Sequence, residues 1–173
     1  MRKVILGVAV SLDGFIEGPN GEYDWCFTDQ DYGMAAFVKR IDAIFMGRKT
    51  YEQSLTMGSQ NPWKGTMTYV FSNSIKEIKT RDTVLVSGDV KTKVAAIKNE
   101  KGKDIWMFGG AELTVALMTE RRIDELWLSV HPILLGAGKP LFSGLKKRIK
   151  TKLMDTKTYN SGLVSLKYEV ENL

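Results

Sequence analysis

Twice in this chain a short apolar run stops on glycine and a helix-prone segment begins at once. Residues 43–46 (Ala-Ile-Phe-Met) lead into Gly47-Arg48-Lys49-Thr50, and Ile105-Trp106-Met107-Phe108 leads into Gly109-Gly110 and the apolar stretch 111–118. Four apolar residues suit a buried strand, and glycine lets the backbone turn or be approached where a Cβ would obstruct. Each joint therefore reads as strand, glycine, helix start. A helix start offers unpaired N–H groups and partial positive charge, which favour an anion such as a phosphate. Arg48 and Lys49 add two cations and Thr50 a hydroxyl, and cations in a first helical turn oppose the dipole unless an anion lies there. Neither the G-x-G-x-x-G spacing nor that of the P-loop follows a strand, so these joints belong to neither fingerprint.

The rest of the chain supplies a sheet for the joints. Residues 3–11 are apolar almost throughout, as in a central strand covered on both faces. Residues 12–25 form a long loop rich in turn formers, of the kind that serves as a lid or binding loop. A helix is expected over 29–40, a short one after Gly47 to about 55, a loop over 57–65, strands over 66–71 and 83–86, and a helix over 90–100 capped by Asp89. After the Gly-Gly joint the pattern changes: a strand over 125–135, then an antiparallel pair over 151–159 and 162–169. Strands alternate with helices first and hairpins follow, which predicts an α/β sheet, mainly parallel, with an antiparallel C-terminal edge.

At 173 residues the chain suits one domain. It carries no apolar run of transmembrane length and opens directly into a strand pattern, so a cytoplasmic protein with no membrane partner is expected. A single cysteine, Cys26, excludes an internal disulfide, and with one histidine a zinc site is not expected. Much of the net charge of +5 sits in the run 146–152 without an aromatic-interleaved motif, and nucleic-acid binding is not expected. Acid–base candidates near the first loop are Asp13, Glu17, Asp24, Asp29 and Asp31, among which composition does not choose. His131, before Pro132 in an apolar run, reads as a buried, hydrogen-bonded histidine.

The motifs also resemble a known family. Ile44-Phe45-Met46-Gly47-Arg48-Lys49-Thr50-Tyr51-Glu52, Phe71-Ser72-Asn73-Ser74 and Met107-Phe108-Gly109-Gly110-Ala111-Glu112-Leu113 resemble, in order, segments of dihydrofolate reductases. Ser11-Leu12-Asp13-Gly14, Asp42 to Gly47, Ile123-Asp124-Glu125-Leu126, His131-Pro132, Leu135-Gly136-Ala137-Gly138 and Pro140-Leu141-Phe142 are more similar to the reductase domain of the riboflavin-pathway deaminase-reductase and its stand-alone relatives. The resemblance covers nearly the whole chain and implies a dihydrofolate-reductase-like three-layer α/β fold.

It also implies NADPH as cofactor, held by Gly47, Arg48, Lys49, Thr50, Ser72, Asn73, Phe108, Gly109, Gly110, Ala111, Glu112 and Leu113, with Ala9, Ile16 and Gly18 bordering the nicotinamide. In the family the Gly-Gly peptide is often cis. The implied activity is hydride transfer to a C=N or C=O bond of a pterin-like or pyrimidine-like heterocycle, with Asp31 or Asp29 supplying the proton. The alternatives are a phosphoribosyl-aminopyrimidine reductase, for whose second phosphate Arg40, Lys139, Lys146 and Arg148 are candidates, and a binder of NADPH or a heterocycle that does not turn it over. A homodimer through the C-terminal strands is expected from the same resemblance.

Overall fold

A computed structural model describes residues 1–56, 65–78 and 80–171. Along the described chain run β1 (Val4–Ser11), β2 (Phe15–Glu17), α1 (Met34–Arg40), β3 (Ile41–Gly47), α2 (Arg48–Thr56), β4 (Met67–Phe71) and β5 (Thr83–Val86). They are followed by α3 (Val90–Asn99), β6 (Asp104–Gly109), α4 (Ala111–Thr119), β7 (Glu125–His131), β8 (Lys139–Pro140), β9 (Thr151–Thr158) and β10 (Val164–Val170). Eight strands make one sheet in the order β5-β4-β3-β6-β1-β7-β10-β9. Strands β5 to β7 in that order are parallel to their neighbours, while β10 runs antiparallel to β7 and β9 to β10. The expected mainly parallel sheet with an antiparallel C-terminal edge is what forms.

Strand β1 has no polar face because both of its faces are covered. Side chains alternate across a strand, so Val4, Leu6 and Val10 join one core with Val94 and Ile97 of α3 and Leu113 and Leu117 of α4. Ile5 joins the other, with Phe37 of α1 and Tyr51 of α2. Helices thus lie on both faces, giving three layers. At the N-terminal ends of the strands, ion pairs tie elements together: Arg40 to Asp104 (2.7 Å) and Glu125 (2.8 Å), and Lys3 to Glu125 (2.7 Å). The opposite, C-terminal ends are left for the glycine joints.

Strand order explains why the joints matter. After β3 the chain passes through α2 to β4, away from the sheet centre; after β6 it passes through α4 and crosses β1 to reach β7. Connections leave the adjacent strands β3 and β6 in opposite directions. This is a topological switch point, the place where an open α/β sheet leaves a crevice beyond its strand ends.

Several boundaries differ from expectation. The helix expected over 29–40 begins only at Met34, because Gly33 sits at φ +96°, outside the helical region, and breaks the run upstream. The strand expected over 125–135 ends at His131, where Pro132 has no N–H to donate to a ladder. The expected loop over 57–65 lies outside the described residues except for Gly65. The 12–25 loop is not structureless: it contains β2, which pairs with β8. That pairing depends on Gly138 at φ +142°, where an added Cβ would run into the Glu17 carbonyl. Gly138→Ala is expected to destabilise the protein by about 1–3 kcal/mol in denaturant unfolding, and an unchanged midpoint would remove this account of the β2–β8 contact.

Candidate functional site

The switch point opens into a cleft of 520 Å³ bordered by Gly47, Arg48, Lys49 and Thr50 from β3 and α2, by Ser72 and Asn73 after β4, and by Gly110, Ala111, Glu112 and Leu113. No side chain caps the start of α4, so its first N–H groups have no intrahelical partner. The two helix starts lie side by side: Gly110 adopts φ +100°, and a Cβ built on it would stand 3.7 Å from the Gly47 Cα. Arg48 is bonded to Glu52 one turn along α2 (2.9 and 3.1 Å), whereas the Lys49 ammonium is left for the cleft. Ser72 and Asn73 hold their own loops, Ser72 Oγ accepting from the amides of Ser74 and Ile75 and Asn73 Oδ1 from that of Gly88. All peptide bonds among the described residues are trans, that of Gly109–Gly110 included, in contrast to the cis form implied by resemblance.

Two residues back along β6, Phe108 faces a different space. With Ala9 of β1 it lines a second cavity of 510 Å³, walled by Trp106, Trp127, Phe27 and Met34 and carrying Thr28, Gln30, Tyr32 and Ser129 as polar groups. Phe108 packs edge-on against Trp106, ring centroids 4.8 Å apart. Gly109 joins the two spaces along the strand, and its virtual Cβ meets Thr50 at 3.7 Å. Ile16 and Gly18 border neither cavity directly, although their neighbours Glu17, Asn20 and Gly21 line the cleft. Ile16 packs on the α3–α4 core.

The two carboxylates expected at the start of α1 stand outside the aromatic cavity. Asp31 Oδ1 accepts from the amides of Gly33 (3.0 Å) and Ala35 (3.2 Å), so it stabilises the first turn of α1. Asp29 accepts from the Tyr32 hydroxyl at 2.6 Å, and that bond holds its carboxyl below the usual range. Tyr32 itself lines the cavity, so Asp29 reaches it at one remove.

His131 is 2% exposed. Its Nε2 accepts from the Phe27 amide (3.1 Å), and its Nδ1 donates to the Ser129 carbonyl (2.9 Å). Burial keeps it neutral, with a pKa below the ordinary 6.5, and both nitrogens serve the fold. Cys26 lines the cavity with its thiol pushed up to about 11 by burial and by the Asp24 charge.

Of the cations named for a second phosphate, Arg40 lies at the far end of the sheet with Asp104 and Glu125. Lys146 and Arg148 border a hollow beside Met118 and Val170. Lys139 alone of the four reaches the cleft, paired with Glu17 at 3.6 Å.

The sequence profile of the RibD C-terminal domain matches residues 2–165. The chain belongs to the RibD C-terminal domain family. It is 40% identical to the uncharacterised protein YyaP of Bacillus subtilis, over 96% of this chain and 94% of that one. A structure from Shewanella sp. PV-4, of a protein named for riboflavin biosynthesis, superposes with a TM-score of 0.87 at 26% identity, covering 99% of this chain and 100% of that one. Dihydrofolate reductase from Enterococcus faecalis, solved with NADP(H) bound, superposes with a TM-score of 0.71 at 16% identity, over 98% and 97% of the two chains. This RibD-type chain therefore has the dihydrofolate-reductase-like fold. No helix among its described residues is long and apolar enough to cross a membrane.

Sequence reasoning missed the stretch from Cys26 to Tyr32 as a cavity wall, since a helix expected from 29 hid it. The one available signal was Gly33. It also missed how the Ser-Leu-Asp-Gly motif works. Asp13 accepts from the Ser11 hydroxyl (2.6 Å) and from the amides of Gly136 (2.8 Å) and Leu135 (3.1 Å), and so fastens the start of the 12–25 loop to the loop after β7. The Ser11 bond, then the amides, hold the Asp13 carboxyl below its ordinary 3.8. A depressed carboxyl stabilises the fold above its unfolded value and loses that contribution as pH falls through the folded one. The clasp is therefore expected to hold at neutral pH and to be lost only as pH falls below the ordinary 3.8 and through the depressed folded value. Hydrogen exchange at the Gly136 amide checks this, with Asp13→Ala expected to show open-state exchange at pH 7.

Proposed function

We propose that this chain is an NADPH-dependent oxidoreductase that delivers hydride to a C=N or C=O bond of a pterin-like or pyrimidine-like heterocycle. One observation carries the reading: two glycine-led helix starts side by side at the switch point, continuous along the end of β6 with an aromatic cavity of similar size. A dinucleotide needs that combination, an anion-binding crevice for its phosphates and a flat apolar slot for its ring. Membership of a family named for the riboflavin-pathway reductase domain, and the fold shared with an NADP(H)-bound dihydrofolate reductase, support the same reading.

The residues present fit the cofactor. Gly47, Gly109 and Gly110 leave room for a pyrophosphate at the backbone, and Ala111, Glu112 and Leu113 would present their amides to it. Arg48, Lys49 and Thr50, with Ser72 and Asn73, would bind the adenosine 2′-phosphate and its neighbours, Arg48 leaving its pair with Glu52 to do so. Ala9 and Phe108, which line the aromatic cavity, would border the nicotinamide, whereas Ile16 and Gly18 border neither cavity. Bound NADPH supplies the hydride.

The chain's own part is to hold the substrate ring on Trp106 and Phe108, exclude water and pass a proton. Of Asp29 and Asp31 we assign the proton path to Asp29, because its bond to Tyr32 links solvent to the cavity, while Asp31 holds the start of α1. The expected homodimer fits β9, an edge strand with all eight residues exposed, Leu153 and Met154 among them.

Titration with NADPH and with NADH, followed by tryptophan fluorescence, tests the cofactor. NADPH is expected to bind preferentially, and Arg48→Ala or Lys49→Ala to weaken it about tenfold to a hundredfold, the worth of a charge-assisted hydrogen bond, with little change for NADH. Equal binding of both nucleotides, or of neither, would sink the reading. In turnover assays Tyr32→Phe and Asp29→Asn are each expected to reduce kcat about a hundredfold. Asp31→Ala is expected to lower stability by about 1 kcal/mol and leave kcat near the parent value.

A further inference from the structure

The aromatic cavity is uncharged. Among the described residues lining it there is no aspartate, glutamate, lysine or arginine. Its titratable groups do not change that at neutral pH, since the Cys26 thiol is pushed up to about 11 and His131 stays neutral with both nitrogens engaged. A hollow on the other side of Tyr32 and Trp127 does contain Arg40, Lys157 and Lys167. Two of these are committed, Arg40 to Glu125 and Asp104, and Lys167 to Asp155 at 3.0 Å. An anionic tail reaching past Tyr32 would meet acids as well as cations.

Within the cavity the polar groups are few and specific. Gln30 turns its amide nitrogen toward Asp29 (3.5 Å) and the Tyr32 hydroxyl (3.3 Å). A carboxylate only accepts, so the side of the amide facing Asp29 has to be the NH₂, and the carbonyl oxygen takes no hydrogen bond among the described residues. The Thr28 and Ser129 hydroxyls line the same cavity. The ligand side of this wall thus offers one fixed acceptor and two hydroxyls. An amidine edge, as in a ring-protonated 2,4-diaminopteridine, presents paired N–H donors that call for the two oxygens of a carboxylate. A lactam edge, one ring N–H beside one C=O, calls for one acceptor and one donor.

We propose that Gln30 is the specificity-determining residue of this cavity, and that its substrate is an uncharged planar heterocycle bound by a lactam edge, without a phosphorylated tail. The inference rests on the reductase reading above and narrows its substrate class. Gln30 takes the ring N–H on its carbonyl oxygen, and Thr28 or Ser129 donates to the ring carbonyl. Asp29 and Tyr32 hold the amide in that sense, so a single carboxylate outside the cavity orders both the recognition edge and the proton path.

Calorimetric titration of the full chain, with and without saturating NADPH, tests this with pteridine-2,4-dione, 2-amino-4-oxopteridine, 2,4-diaminopteridine, uridine and uridine 5′-phosphate. The dione, and the 2-amino-4-oxo compound through its own ring N–H/C=O edge, are expected to bind about tenfold more tightly than the diamino compound, one hydrogen bond's worth, and uridine 5′-phosphate no more tightly than uridine. Gln30 is exposed, so its variants are expected to fold. Gln30→Leu should abolish the preference while keeping the weaker binding of all the pteridines, and Gln30→Glu should reverse it in favour of the diamino compound. Tighter binding of the diamino compound by the parent protein, a preference that survives in Gln30→Leu, or a phosphate that improves uridine binding tenfold would each overturn the proposal. Failure of NADPH itself to bind would instead count against the reductase reading, since the order of the pteridines is read without it as well.

Discussion

The functional edge of this protein depends on two pieces of backbone being able to lie against each other. Gly47 ends β3, Gly110 opens α4, and the space a Cβ on Gly110 would take reaches to within 3.7 Å of the Gly47 Cα. Gly110 takes its φ of +100° there because it has no Cβ, and the two helix starts share one crevice. Their N–H groups and partial charges then add. The cations of the first turn of α2 sit where a helix alone would disfavour them, which makes the crevice an anion site by electrostatics as well as by shape.

A second constraint sets the other wall. The 12–25 stretch would be a loose flap if it were held only at its ends. It is instead fastened near its base by Asp13, whose carboxylate takes two amides from the loop after β7, and by the short β2–β8 pairing that Gly138 permits. Beyond these anchors lies the turn around Asn20 and Gly21, which borders the cleft. The anchoring joins the base of this loop and the loop after β7 into one wall.

Between those walls the division of labour follows charge. The cleft at the switch point carries cations, bare helix starts and hydroxyls, whereas the aromatic cavity beside it carries no formal charge among its described lining residues. One long ligand with a charged middle and a flat neutral end fits such a gradient, and a neutral second ligand fits the cavity wall that remains. Asp29, hydrogen-bonded to Tyr32 and Gln30, acts on that wall from outside.

Much of this was legible in the residues. The strand-glycine-helix joints at 47 and 109, the unbroken apolar β1, the cap at Asp89 and the hairpin character of the last third follow from local stereochemistry and period, and each is present. His131 could be read as a buried, bonded histidine because an apolar run before proline leaves it little else. What could not be read were facts about distance. That α1 starts only after Gly33 depends on a left-handed backbone which sequence does not mark as such, and with it went the identity of the cavity wall from Cys26 to Tyr32.

That Asp31 caps a helix while its near neighbour Asp29 reaches the cavity through Tyr32 is a matter of a few ångströms in a loop with no periodicity. Sequence determined which residues make strands, where they turn and what each joint can bind, because those depend on neighbours along the chain. Tertiary structure alone decided which joints meet, which carboxylate is bonded to the cavity wall and how neutral the cavity is, because those depend on strands far apart in sequence lying side by side.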